Sequence, residues 1–144
     1  MPDSIAETLT ADHRRCDQLL ARIESAANRA DWQQTGQESQ QLAKSMENHF
    51  AFEEQTLFPP LEAAAPMASG PTGVMRQEHA QLRQLIVDLQ AAVLAGDADE
   101  CLGLIETLHF AIQQHNAKEE AILYPLADQA LATEAAALLS EFAD

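Results

Sequence analysis

The sequence predicts an all-α protein: an up-down-up-down four-helix bundle of two pseudo-twofold-related hairpins, with a short C-terminal fifth helix. Three observations predict it. Apolar residues recur at steps of three and four along four long stretches, the period of a helix with one buried face. The breaks between these stretches are short, so successive helices return antiparallel. Strand formers are scarce: aromatics are 5% of the 144 residues, and alanine, leucine, glutamine and glutamate are abundant. A hydrophobic share of 47% is enough for one core, and residues 1–144 are read as one domain.

The first helix is expected from about Ser4 to Asn28, with Ile5, Leu9, His13, Cys16, Leu20 and Ile23 on its inner stripe. Asp31 is the expected N-cap of the second, with Trp32 just inside. That helix aligns Leu42, Met46, His49, Glu53 and Leu57, and should kink or stop near Pro59 and Pro60. Residues 66–73, rich in proline and glycine, read as the main loop. The third helix aligns Met75, His79, Leu82, Ile86, Leu89 and Val93, with Gly96 as its stop and Asp97 as the next N-cap. The fourth aligns Cys101, Ile105, Leu108, Ile112, His115, Glu119 and Ile122, and Pro125 marks its end. A short fifth helix, about Thr133 to Phe142, packs across one end.

The two halves repeat at an offset of 66 residues. His13 maps to His79, Asp31 to Asp97, His49 to His115 and Glu53 to Glu119. The strongest match sets HFAFEEQTLFPPLE (49–62) against HNAKEEAILYPLAD (115–128), with Phe58 opposite Tyr124 and Glu62 opposite Asp128.

Bulk charge excludes several function classes. The net charge of −15 repels phosphate backbones and anionic membranes, so no nucleic acid and no membrane partner is expected. Cys16 and Cys101 read as two buried thiols of a reducing compartment. The first residues carry no basic-apolar leader, and no apolar run reaches the length of a membrane span, so a cytoplasmic protein is expected.

The inner stripes carry polar groups that a core does not tolerate bare. His49 and Glu53 are four residues apart, on one helical face and about 6 Å apart along the axis. His115 and Glu119 repeat the pair, and His13 and His79 lie on the stripes of their own helices. Buried carboxylates cost several kcal/mol unless paired, and no lysine or arginine shares these stripes. Metal ions resolve this. Imidazole and carboxylate suit iron, manganese or zinc, and carboxylates from facing helices can bridge two ions. The repeat divides the set: His13 and His49 for one ion, His79 and His115 for the other, Glu53 and Glu119 bridging. Each ion then keeps at least one position open for an outside ligand.

The pattern His13 … His49-x3-Glu53 … His79 … His115-x3-Glu119, with HFAFEEQTLFP and the Glu-His opening of the third helix, resembles the hemerythrin-like HHE cation-binding family over nearly the whole chain. The resemblance implies a four-helix bundle around two non-haem iron ions, oxo- or hydroxo-bridged, ahead of manganese or zinc. It also implies a small partner: dioxygen, nitric oxide or peroxide. The chain departs from the oxygen carriers. Those have a second third-helix histidine four residues from the first, where this sequence has Met75 and Arg83. They also take their last carboxylate from the position of Glu120, whereas the repeat favours Glu119. The four-His, two-Glu set is more similar to the iron-centre repair proteins and related bacterial HHE proteins. Three uses of the centre are open at this point: binding or sensing a small ligand, catalysis on peroxide or nitric oxide, and iron donation or repair.

Other polar residues read more plainly. His109 lies about 100° off the inner stripe and is expected at the surface. Asp12 and Glu78 precede matched histidines and read first as solvated acids, with a hydrogen bond to a histidine of a neighbouring helix as the second reading. Glu54 and Glu120 are expected to face solvent, Cys16 is no ligand, and Tyr124 and Phe58 read as core packing.

Overall fold

The computed structural model describes residues 3–142. Ser4 opens helix α1 (Ile5–Asn28) with a reciprocal cap: its Oγ accepts from the Glu7 amide and its own amide donates to Glu7 Oε1, both at 3.0 Å. Helix α2 (Trp32–Ala51) follows a three-residue turn and is capped by the Asp31 carboxylate. A π-helical segment (Phe52–Leu57) leads into α3 (Phe58–Ala64), and a single 3-10 turn (Pro66–Ala68) leads into α4 (Ser69–Ala95). Helix α5 (Ala98–Lys118) is capped by Asp97 and passes through a second π segment (Glu119–Leu123) into α6 (Tyr124–Ala130). Helix α7 (Ala135–Leu139) is shorter than the expected fifth helix.

Helices α1, α2, α4 and α5 form the antiparallel bundle, each packed on two neighbours in the cyclic order α1, α2, α4, α5. Three expectations change. Helical structure continues through Pro59, Pro60 and Pro125, because these prolines fall in the first turn of α3 and α6, where a missing N–H costs least. The expected loop at 66–73 is mostly helix, since Gly70, Pro71 and Gly73 fall in the first turns of α4. Ile122 is 56% exposed while Leu123 is buried, because the π segment shifts the helical phase by about one residue.

The two hairpin turns are built alike. Ala30 (φ 53°) and Gly96 (φ 64°) both adopt the left-handed conformation. The following amides, Asp31 and Asp97, reach back to the carbonyls of Ala26 and Ala92 at 3.0 and 3.1 Å.

The interior has two apolar clusters. One includes Leu20, Ile23, Leu42, Leu89, Ile105 and Leu108. The other includes Ile5, Leu9, Phe58, Leu61, Tyr124 and Leu131, with α7 residues packed against it. Cys16 and Cys101 are buried free thiols, and His109 is exposed. Among the described residues, no helix is long and apolar enough to cross a membrane.

Candidate metal centre

Between the two clusters lies a buried polar layer, and the two π segments deliver half of it. Each begins at or next to a core-facing glutamate. The Phe58 amide donates to the carbonyl of Glu53, and the Tyr124 amide to that of Glu119, each five residues back. The following prolines explain the widened turn. Pro59 and Pro125 donate no hydrogen bond, and in a regular α-helix their rings would press on the carbonyl four residues earlier. Widening brings residue i+5 beneath residue i, so Phe58 and Tyr124 sit under the two glutamates and are fully buried.

His13, His49, Glu53, His79, His115 and Glu119 are all buried, and the structure brings all six together. They form two overlapping groups, His13-His49-Glu53-Glu119 and Glu53-His79-His115-Glu119, with one donor atom per residue within 4.8 Å of the others. The glutamates belong to both groups, as the repeat suggests. The histidine rings pair by hairpin, with centroids 4.7 Å apart for His13 and His49 and 4.9 Å apart for His79 and His115. Around the glutamates, His13 Nε2 lies 3.1 Å from Glu119 Oε1 and His79 Nε2 3.0 Å from Glu53 Oε1.

Four further carboxylates back the four imidazoles. Asp12 Oδ2 accepts from His49 Nδ1 at 2.8 Å, Glu54 Oε2 from His79 Nδ1 at 2.7 Å, Glu78 Oε1 from His115 Nδ1 at 2.9 Å, and Glu120 Oε2 from His13 Nδ1 at 2.8 Å. Each helix hands an acid to the next around the bundle, and the last returns to α1. For Asp12 and Glu78 the structure shows the second reading, a bond to a histidine of the neighbouring helix, in place of solvated acids; Glu54 turns inward to His79, and Glu120, its side chain 36% exposed, still bonds His13. Three of the four are anchored outward in turn: Asp12 by Arg15, Glu54 by Arg83 and Glu78 by Lys118. The sequence did hold a signal for them, since Asp12 matches Glu78 and Glu54 matches Glu120 in the repeat.

The charges follow from this packing. Burial favours neutral Asp12, but hydrogen bonds from His49 and Arg15 outweigh it and hold the carboxyl below its ordinary range. Glu54 and Glu78 behave likewise, through Arg83 with His79 and through Lys118 with His115. An ionised carboxylate only accepts, so Nδ1 of His49, His79 and His115 carries the hydrogen, and once such a ring gives up its second proton to a metal ion its Nε2 turns a lone pair inward. Burial also opposes charge on His49, yet Glu53, Asp12 and Glu119 raise it to about 10. His79 rises to about 9 against burial, through Glu119 and Glu53, and His115 rises through Glu119. Glu119 is held well below the usual carboxylate range, because the imidazoles of His115, His13 and His79 close around it outweigh its burial penalty.

A cation fits this donor set. Glu53 Oε1, Glu119 Oε2, His79 Nε2 and His115 Nε2 are buried with no well-aligned hydrogen-bond partner. Such orphans cost about 1–3 kcal/mol each, more when charged. Among the described residues, no buried lysine or arginine lies in this layer. Imidazole nitrogen with carboxylate oxygen is a donor set for iron, manganese or zinc. Protons and a metal ion compete here for the same nitrogens.

The sequence reading missed Tyr124, whose hydroxyl reaches into the layer and donates within 2.6 Å of Glu53 Oε2. Its position five residues after a core glutamate and just before a proline was the available signal. The family model described as the hemerythrin HHE cation binding domain matches residues 4–127. No curated protein and no solved structure matches the chain.

Proposed function

The chain belongs to the hemerythrin HHE cation-binding family, and from that premise we propose that it is a non-haem two-iron protein that binds or senses dioxygen, nitric oxide or peroxide. His13 and His49 would hold one ion and His79 and His115 the other, with Glu53 and Glu119 shared between the two groups. Iron, when bound, supplies redox chemistry and a coordination position for the outside ligand. The residues around it supply the rest. Asp12, Glu54, Glu78 and Glu120 orient the rings and keep the proton on Nδ1. The two apolar clusters exclude bulk water.

The observation that carries the choice of ligand is a cavity beside the histidines. His13, His49 and His115 line it together with Cys16, Met46 and Ile112. It offers about 10 Å³ to the centre of a water-sized molecule, near the smallest space that holds one water. Such a space excludes an organic substrate and leaves room only for a ligand of a very few atoms.

Anaerobic loading with ferrous iron tests the reading. The expected result is about two irons per chain, with a visible spectrum that changes on exposure to air, nitric oxide or peroxide. His49→Ala and Glu53→Ala should each lower the iron bound. A chain that takes up no ferrous iron, or a loaded chain indifferent to all three ligands, would overturn it.

A further inference from the structure

Tyr124 is the sole tyrosine of the chain, and its hydroxyl has more neighbours than a phenol can satisfy. Oη lies 2.6 Å from Glu53 Oε2, 2.8 Å from Glu119 Oε1, 3.0 Å from His13 Nε2 and 3.1 Å from His49 Nε2. Once a metal ion has displaced their second proton, the imidazoles are neutral with Nδ1 protonated, and all four of those atoms present lone pairs. The phenol has a single hydrogen, so it serves one acceptor at a time.

The four neighbours are the residues of one half of the cage, one atom from each. Donor atoms about 2.1 Å from a common ion and at right angles to one another lie about 3 Å apart. The phenol oxygen keeps roughly that separation from all four. Tyr124 is not among the residues that line the small cavity, whose apolar lining comes from the other cluster. It therefore approaches the layer from elsewhere and leaves the cavity free for an outside ligand. Its repeat partner, Phe58, is also fully buried, with its ring 6.1 Å from His79, but it carries no oxygen.

We propose that Tyr124 Oη is a fifth protein donor, as phenolate, to the ion held by His13, His49, Glu53 and Glu119, so that the two ions are unlike. This rests on the two-iron reading above. The step is an exchange without electron transfer: the O–H bond breaks, an oxygen–metal bond forms, and the proton leaves to solvent as the ion binds. The Phe58 side has no counterpart, so the second ion keeps the coordination position that the first gives up.

Resonance Raman spectroscopy of the ferric-loaded full chain, excited in the visible, tests this. Tyrosinate ring modes are expected, and they should shift in protein grown on ring-deuterated tyrosine. With a single tyrosine present, the wild-type isotope shift alone assigns the ligand, even where a variant fails to fold. Tyr124→Phe should lose the modes and the associated visible band while retaining bound iron. A chain holding two irons with no tyrosinate modes would overturn this proposal and leave the two-iron reading intact, and so would modes that persist in Tyr124→Phe. A chain that binds no iron would overturn both.

Discussion

A histidine tied at Nδ1 to a carboxylate presents its Nε2 lone pair in one direction, with its basicity raised. In this protein the tie always comes from another helix. Asp12 belongs to α1 and bonds the His49 ring of α2; Glu78 belongs to α4 and bonds His115 of α5. Asp12→Asn keeps the size but removes the charge, and should weaken metal binding about 10–100-fold. Glu78→Gln should act in the same direction. Competition against a chelator, with helicity followed as a control for folding, gives the number, and unchanged affinity in both variants would remove these acids from the site. The buried cluster of four histidines and two glutamates was legible, because its members sit on apolar stripes where an uncompensated charge is costly. Of their carboxylate partners, Asp12 and Glu78 were legible only as a second reading, and Glu54 and Glu120 were not. A residue adjacent to a stripe points about 100° away from it, and what it meets depends on which helix packs there. The pattern has a logic visible in retrospect: the acid precedes the histidine on α1 and α4 and follows the glutamate in the segments after α2 and α5. On antiparallel helices those two steps turn the same way around the bundle.

At the scale of elements, the hairpin turns offer a paired experiment. Ala30 and Gly96 share one backbone conformation at repeat-related positions, but only glycine adopts it without a Cβ penalty. Ala30→Gly should stabilise the fold by up to about 1 kcal/mol, net of the extra freedom of the unfolded chain. Gly96→Ala should destabilise it by about 1 kcal/mol. The strain there is conformational and not steric, since a Cβ would stand 3.7 Å from the Trp32 indole nitrogen, an ordinary contact. Denaturant midpoints report both, and a change of the same sign in the two variants would contradict the common geometry. Helices and their caps were readable from stripes, Ser4, Asp31 and Asp97. The π segments were not, because a one-residue widening leaves the local composition unchanged and shows itself only as a phase error, Leu123 inward in place of Ile122. Helix starts are also tied across the repeat in a way composition hides. Asp128 accepts from the amides of Ile5 and Ala6 at 2.8 and 3.1 Å, while Glu62 holds Thr72 and Arg76 of α4.

For the whole molecule, protons and ions pull stability in opposite directions. His49 and His79 have folded-state values of about 10 and about 9, above the ordinary 6.5. Each contributes stability that is fully present below pH 6.5 and lost as pH rises through those values. The metal-free chain should therefore melt at progressively lower temperature between pH 6.5 and 10. The loaded chain should gain over it across the same window, because fewer protons contest the nitrogens. Thermal unfolding of both forms at several pH values tests this, and parallel curves would contradict it.

The closed circuit of acid and imidazole has one more consequence, for register. Apolar stripes spaced by threes and fours leave a helix free to slip along its neighbours by a turn, about 5.4 Å, and still meet leucine with leucine. Here such a slip in any one helix would break two links, the acid it gives and the acid it receives, and strand charges in the interior. The link from Glu120 to His13 joins residues 107 apart in sequence, so the circuit closes only when the last long helix is seated level with the first. The polar layer thus works like a hoop on four staves, holding level what grease alone would let slide.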